Sequence, residues 1–195
     1  MQDNTLILNG FKNALITQHG YSEQDWILTE KYFRVYKIDA KKLFVKDGQI
    51  ADKLGFVSYG LLRSYYFDEK GNERTSQFFL PGQVVVIPDS FNDGVPSTVN
   101  IASYERSALV TISSSDMKEL YKIAPFWRTI CHRVSDIKQK KLLDRTKQFQ
   151  TQTAKERYQD FTKKYPSLIL KVPLGHIASY LGMDIATLSR LRSLR

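Results

Sequence analysis

The residues able to do chemistry are sparse along most of the chain and crowded at its end. Three histidines, His19, His132 and His176, and one cysteine, Cys131, are all it offers to a metal or a nucleophilic centre beyond its carboxylates. One thiol can form no disulfide within the chain and cannot hold a thiolate-bound cluster alone. A lone histidine is more often a surface or core side chain than a ligand. After Gly182, by contrast, come Thr187, Ser189, Arg190, Arg192 and Arg195, with Lys171 a little upstream. These hydroxyl, guanidinium and ammonium donors suit phosphate oxygens and the edges of bases.

Donors of that kind read a polymer only if a rigid element presents them. In 173–195 the apolar residues Leu174, Ile177, Ala178 and Leu181 recur at steps of three and four, and Met183, Leu188 and Leu191 follow after a break. The spacing predicts two short helices, each with one apolar face. Gly182 lies between them and can end a helix in the left-handed conformation at little cost. Asp184 is a good N-cap for the second helix, because its carboxylate accepts from free amides there. Helix, glycine turn and helix, with small Ala178 at the junction, form the pattern that places a second helix in the DNA major groove. An ordinary helical hairpin of other purpose shares the same physics and stands as the alternative.

The charge distribution bears on that choice. Residues 1–117 carry 12 Lys and Arg against 14 Asp and Glu, whereas 118–195 carry 17 against 6, so the net charge of +9 comes from the second part alone. A basic region beside a near-neutral one points to a polyanion partner for one region only. The N-terminus has no basic stretch followed by an apolar one, and no apolar run is long enough to cross a membrane. A cytoplasmic protein is the expectation.

Residues 1–30 read as partly helical, with Leu6, Ile7, Phe11, Leu15 and Ile16 near helical spacing and a second start at Ser22 and Glu23. From Arg34 the period changes to two. Short runs at 34–38, 42–45, 54–58, 61–67, 74–80, 84–87, 98–102 and 108–112 are separated by Gly, Asp and Pro turns, which argues an antiparallel barrel or jelly roll. Ser115 and Asp116 cap a helix that Pro125 interrupts. From Phe126 to Tyr165 no Gly or Pro occurs, and Phe126, Ile130, Val134 and Ile137 form an apolar stripe. The stripe fits a coiled-coil-like seam with a second copy; burial against the chain's own barrel is the alternative. Gln148–Thr153 is the expected hinge, Thr153 the cap of a helix 154–164, and Leu168–Val172 a short extended run. The expected class is α+β: an antiparallel β-roll over 1–122, a long dimerisation helix and hinge over 123–150, and a helix-turn-helix over 151–195.

This order resembles the Crp/Fnr superfamily of bacterial transcription regulators along nearly the whole chain. The most specific pieces are Glu156-Arg-Tyr-x-x-Phe-x-x-Lys-Tyr-Pro166, Val172-Pro173, Ile177-Ala-Ser-Tyr-Leu-Gly182 and Thr187-Leu-Ser-Arg190, with Gly60-Leu-Leu-Arg63, Gly71-Asn-Glu-Arg-Thr75 and the turn from Phe78 to Gly82 in the β-roll. The resemblance implies a cyclic-nucleotide-binding-like β-roll joined to a winged-helix domain, here stopping at Arg195 before any trailing wing. The implied partners are double-stranded operator DNA, a second copy of the chain, RNA polymerase and a small-molecule effector. No catalytic residue, metal or cofactor is expected.

Carried over residue by residue, the resemblance departs at the effector site. Relatives that bind cyclic nucleotides hold the phosphate with an Arg-Ser/Thr-Ala triplet and the ribose with a glutamate. Counted back from the strand at Val110, those positions fall on Ser97 and Ile87, with Arg63 and Thr98 as further candidate lining residues. Arg106-Ser107-Ala108 has the triplet's letters but lies too late. A neutral hydroxyl at Ser97 cannot replace a charge-assisted partner, a difference of about 1.5–3 kcal/mol, so cyclic AMP is not the expected ligand. On the DNA side the resemblance puts Ile185 and Ala186 early on the recognition helix, where they can touch a thymine methyl. Arg190 keeps the family's late arginine and suits guanine, with a phosphate clamp as its alternative. Lys171, Arg192 and Arg195 suit phosphates. Two further readings stand beside the regulator: a cupin-like β-barrel enzyme or small-molecule binder with a helical dimerisation domain, for which no histidine lies on a predicted strand, and a regulator that has lost its effector.

Overall fold

The structure is a computed structural model that describes residues 4–193. It is mixed α and antiparallel β, and it falls into two compact units: 1–64 with 78–134, and 65–77 with 135–195. Strands β4 and β5 and helix α5, introduced below, each run from one unit into the other.

The first unit begins with α1 (Asn4–His19) and α2 (Glu23–Thr29), the latter capped by Ser22, whose hydroxyl accepts from the Asp25 amide while Asp25 reaches back. Strands β1 (Arg34–Ile38), β2 (Leu43–Val45), β3 (Lys53–Tyr59), β4 (Leu62–Phe67), β5 (Glu73–Phe79) and β6 (Val84–Val85) follow. Next come α3 (Pro88–Asp93), β7 (Asn100–Ser103) and β8 (Ser107–Ser113). They form two four-stranded sheets, ordered β1-β8-β3-β6 and β2-β7-β4-β5. β8 is the organising strand: it pairs antiparallel with β1, from Arg34 opposite Thr111 to Ile38 opposite Ser107, and with β3 on its other edge.

Every residue from Ser107 to Ile112 is buried, because β8 is covered on both faces. Ala108, Val110 and Ile112 face a core filled by Phe11, Trp26, Phe33, Trp127 and Ile130, while Leu109 faces a second core with Val57, Leu62, Val85 and Ile101. That alternation is the period of two expected of a strand. Gly60 turns the chain between β3 and β4 at φ +96°, and a Cβ there would meet the Ser107 hydroxyl at 2.0 Å.

Between the expected strands at 84–87 and 98–102, Pro88–Asp93 is a helical turn: Pro88 starts it and Gly94 ends it in the left-handed region. One sequence expectation changes next. The cap of α4 (Ser114–Ile123) is Ser113, whose hydroxyl accepts from the Asp116 amide, instead of Ser115. α5 (Phe126–Thr151) then runs 26 residues.

In the second unit, α6 (Ala154–Lys164) is closed by a reciprocal capping box between Thr153 and Glu156. A further correction follows. Leu168–Val172 is not extended; α7 (Pro166–Lys171) is helical, since Pro166 at the first position presets the helical φ. α8 (Leu174–Leu181) and α9 (Ile185–Ser193) complete the chain, and α6 packs against α7, α8 and α9. Tyr158, Phe161, Leu168, Ile177, Ala178, Leu181 and Leu188 are buried in this unit.

Candidate nucleic-acid interface

The joint between α8 and α9 is fixed at the level of single atoms. Gly182 is left-handed at φ +63°; its amide donates to Ser179 O, and the Met183 amide donates to Ala178 O at 3.0 Å. This paired closure satisfies two of the four carbonyls a helix leaves free at its C-terminus. The other two accept from arginines: Arg145 Nη2 donates to Tyr180 O at 2.9 Å and Arg157 Nε to Leu181 O at 2.9 Å. Both guanidiniums lie 5.3 Å from the Phe149 ring centroid. A Cβ on residue 182 would stand 2.6 Å from that same ring, so glycine is required twice over. Close approach of the helix pair uses Ala178, buried, and also Gly175, where a Cβ would sit 3.2 Å from Ile185 Cδ1.

Asp184 caps α9, as its type and place predict. Its carboxylate accepts from the Thr187 amide at 2.6 Å and the Thr187 hydroxyl at 3.0 Å, which holds its pKa below the ordinary aspartate value. Thr187 Oγ1 in turn accepts from Arg190 Nη2 at 3.3 Å. The Thr187 hydroxyl proton is thus already directed at Asp184, while part of the Arg190 fork stays open.

Leu188 is fully buried, whereas Ile185, Ala186, Ser189, Arg190 and Arg192 are all exposed. Helical spacing puts Ala186, Ser189 and Arg190 on the side away from Leu188, with Ile185 and Arg192 along its edge. Thr187 is half-buried at its edge, and Lys171, at the end of α7, is exposed. Arg195 lies outside the described residues.

Of the candidate effector positions, Ser97 is buried and closes a local turn: its hydroxyl donates to Val99 O at 2.8 Å and accepts from the Val99 amide at 3.2 Å. Ile87 packs against the core between the sheets, and Thr98 is exposed. Arg63 is buried, its guanidinium 5.7 Å from the centroid of Tyr104. Ser107, second in the displaced triplet, donates or accepts only within the fold, with Leu61, Ser103 and Glu105. On α5, Ile130 belongs to the core of its own unit, Val134 is half-buried, and Phe126 and Ile137 are 37% and 53% exposed.

No family model matches this sequence, and no curated protein sequence does. Solved structures match well. FixK2 of Bradyrhizobium japonicum superposes with a TM-score of 0.72 at 18% identity over 83% of each chain. A protein described as a transcriptional regulator of the Crp/Fnr family from Eubacterium rectale gives 0.69 at 14% identity, covering 93% of this chain and 87% of its own. The fold is that of the Crp/Fnr regulators. The c-di-GMP-responsive global regulator CLP of Xanthomonas campestris shares it as well, with a TM-score of 0.68 at 14% identity over 89% of this chain and 91% of its own. Among the described residues no helix is long and apolar enough to cross a membrane.

Arg145 and Arg157 are the site residues that sequence reading missed as such. Their partners are backbone carbonyls of Tyr180 and Leu181, which any residue type would supply, so no pattern of letters announces the contact. The signal that existed was the i, i+4 pair Arg145 and Phe149, beside the expected hinge.

Proposed function

We propose that the chain is a sequence-specific DNA-binding transcription regulator that acts as a homodimer and answers to a signal other than cyclic AMP. One observation carries the reading: the exposed face of α9, with Arg190 and Arg192 upon it, belongs to the part of the chain that holds all the excess positive charge. Arg190 reads a base edge, Ile185 and Ala186 meet thymine methyls, and Ser189, Arg192 and Lys171 hold phosphates. Phe126, Val134 and Ile137 form the seam with a second copy, and the two α9 helices then meet half-sites about one DNA turn (~34 Å) apart. In this reading 1–122 senses, 123–150 joins the copies and 151–195 binds DNA. RNA polymerase is the further partner of such a regulator.

The effector remains a class rather than a name. Ser97 spends its hydroxyl on a turn and carries no charge, so a cyclic phosphate lacks its cation there. That CLP is described as responsive to c-di-GMP supports the view that this fold takes signals other than cyclic AMP. The same observation favours a second reading, in which the β-roll has no effector and serves as a scaffold. The cupin-like alternative finds no support among the regulators that share the fold.

The test is binding to the DNA upstream of the chain's own gene across a salt series, with and without cyclic AMP. Specific binding unchanged by the nucleotide is the expected result, and activation by it would overturn the reading of Ser97 and Ile87. Arg190→Ala should erase preference at one base pair; a uniform loss with a shallower salt slope would make it a phosphate contact instead.

A further inference from the structure

Asp184, Thr187 and Arg190 follow one another at steps of three, which sets them in a single row along α9 and its cap. Asp184 Oδ1 accepts from the Thr187 amide at 2.6 Å, the ordinary bond of an N-cap. The second oxygen, Oδ2, accepts from the Thr187 hydroxyl at 3.0 Å, which a cap does not require. Thr187 Oγ1 in turn accepts from Arg190 Nη2 at 3.3 Å.

The protons in this row can run one way only. A guanidinium donates and never accepts, and an ionised carboxylate accepts and never donates. Asp184 is ionised at neutral pH, because the bonds from the Thr187 amide and hydroxyl hold its carboxyl below the ordinary aspartate range and the Arg190 charge adds to them. The single proton of the Thr187 hydroxyl is therefore committed to Asp184, and its oxygen faces Arg190 as an acceptor. Held in this way, Thr187 has no proton left to give to a phosphate oxygen.

The effect falls on Arg190. It is exposed on the side of α9 away from Leu188, where a long side chain is otherwise free to sample many rotamers. Reading guanine needs two N–H groups aimed together at O6 and N7. One Nη2 proton is directed to Thr187; the other, with a proton on Nη1 or Nε, remains as such a pair. Holding the side chain in place before DNA arrives lowers the ordering cost of that contact. A phosphate contact fixes no such pairing with a base edge, so a tether on the guanidinium matters for base readout.

We propose that Thr187 is a positioning residue for base readout: its hydroxyl, oriented by Asp184, holds Arg190 where it reads a guanine and does not itself contact DNA. The proposal rests on the base-reading role given to Arg190 above. A purely structural role for Thr187 would change stability without changing which base is preferred.

The experiment uses the full chain and three variants. Thr187→Val keeps the side-chain shape and the amide bond to Asp184 but removes the hydroxyl. Thr187→Ser restores the hydroxyl and serves as the rescue, and Arg190→Ala is the reference. The first readout is affinity for the selected operator and for versions altered at each base pair. Wild type should prefer guanine at the Arg190-dependent position by roughly tenfold and Thr187→Val by roughly two- to threefold, with Thr187→Ser close to wild type. The salt slope should be the same in wild type and both Thr187 variants, since no phosphate contact is lost. The second readout is nuclear magnetic resonance of the Arg190 side chain in the free protein. Rotation about its Nε–Cζ bond should be faster in Thr187→Val than in wild type or Thr187→Ser.

Equal guanine preference in wild type and Thr187→Val, equal rotation at Arg190, or a shallower salt slope in Thr187→Val would each overturn the proposal. If Arg190→Ala erases the preference while Thr187→Val keeps it, the proposal alone fails. If Arg190→Ala leaves every base preference intact, or wild type selects no sequence, the base-reading role itself fails and the proposal falls with it.

Discussion

The interior of the β-roll and the outer face of α9 are built on opposite terms. Between the sheets, Val57, Leu62, Val85, Ile101 and Leu109 pack against one another, and the nearby Ser97 turns its hydroxyl inward to its own backbone. On α9 the polar groups point outward, and Asp184, Thr187 and Arg190 make a short chain of contacts that leaves donors available. The first region satisfies its polar atoms within the fold; the second withholds some of them. A site for a ligand needs the latter condition, which the outward face of α9 meets and the turn at Ser97 does not.

The comparison can be broken most forcefully at Leu188, which has no exposed surface. Leu188→Ala should cost about 2–5 kcal/mol, the usual range for a leucine truncated in a packed core. Both tryptophans, Trp26 and Trp127, lie in the first unit, so their fluorescence follows the β-roll while far-ultraviolet circular dichroism follows both units. The dichroism transition should move to lower temperature and the fluorescence transition should hold. Coincident shifts would show that the two regions unfold as one.

Gly182 sharpens the contrast next. Gly182→Ala should destabilise by about 1–2 kcal/mol for the left-handed backbone alone, and further because the new Cβ meets Phe149. Gly182→Asn eases the backbone cost but keeps the clash, so it should fall between alanine and wild type in chemical denaturation.

Ser97→Ala, smaller again, should cost about 1 kcal/mol through its turn. In neither protein should cyclic AMP raise the melting temperature, although a ligand at a hundred times its Kd would add about 2.7 kcal/mol. A rise in wild type that vanishes in the variant would show that Ser97 is a ligand contact after all.

The smallest effect concerns acid. Asp184 and Glu156 cap α9 and α6, and bonds to Thr187 and Thr153 hold their pKa values below the ordinary 3.8 and 4.5. A lowered folded pKa means stabilisation that is complete above those ordinary values and fades as pH falls through the folded ones. Asp184→Asn keeps a capping acceptor that does not titrate. Its dichroism should therefore show less acid-induced loss in the helix-turn-helix unit than wild type, with the tryptophan signal unaltered.

Much of this fold could be read from sequence because its signals are local. Gly182 and Asp184 mark the joint of α8 and α9 by residue type alone, Thr153 and Glu156 spell a capping box, and the strands announce themselves by alternation. α7 and α3 were harder. Each is six residues long, too short for a period to develop, and each begins at a proline that reads equally well as a turn. Ile130 carries the same apolar letter whether it faces a second copy or its own core, and only the structure places it beside Trp127. The ties of Thr75 to α8 and of Arg145 to Ser76 were invisible for another reason: the partners lie far apart in the chain, 104 residues in the pairing of the Thr75 amide with the Ser179 hydroxyl and 69 in that of Arg145 with the Ser76 carbonyl.

The central proposal is that the outward face of α9 reads DNA sequence without cyclic AMP. Selection of binding sites from a pool of random duplexes by the ligand-free full chain tests it most directly, with affinity for the selected site then followed against salt. The account predicts an inverted repeat with half-site centres about 10 base pairs apart, and an affinity that falls linearly with salt on logarithmic axes. Retention of all duplexes alike, with the same salt slope and no enriched sequence, would contradict it.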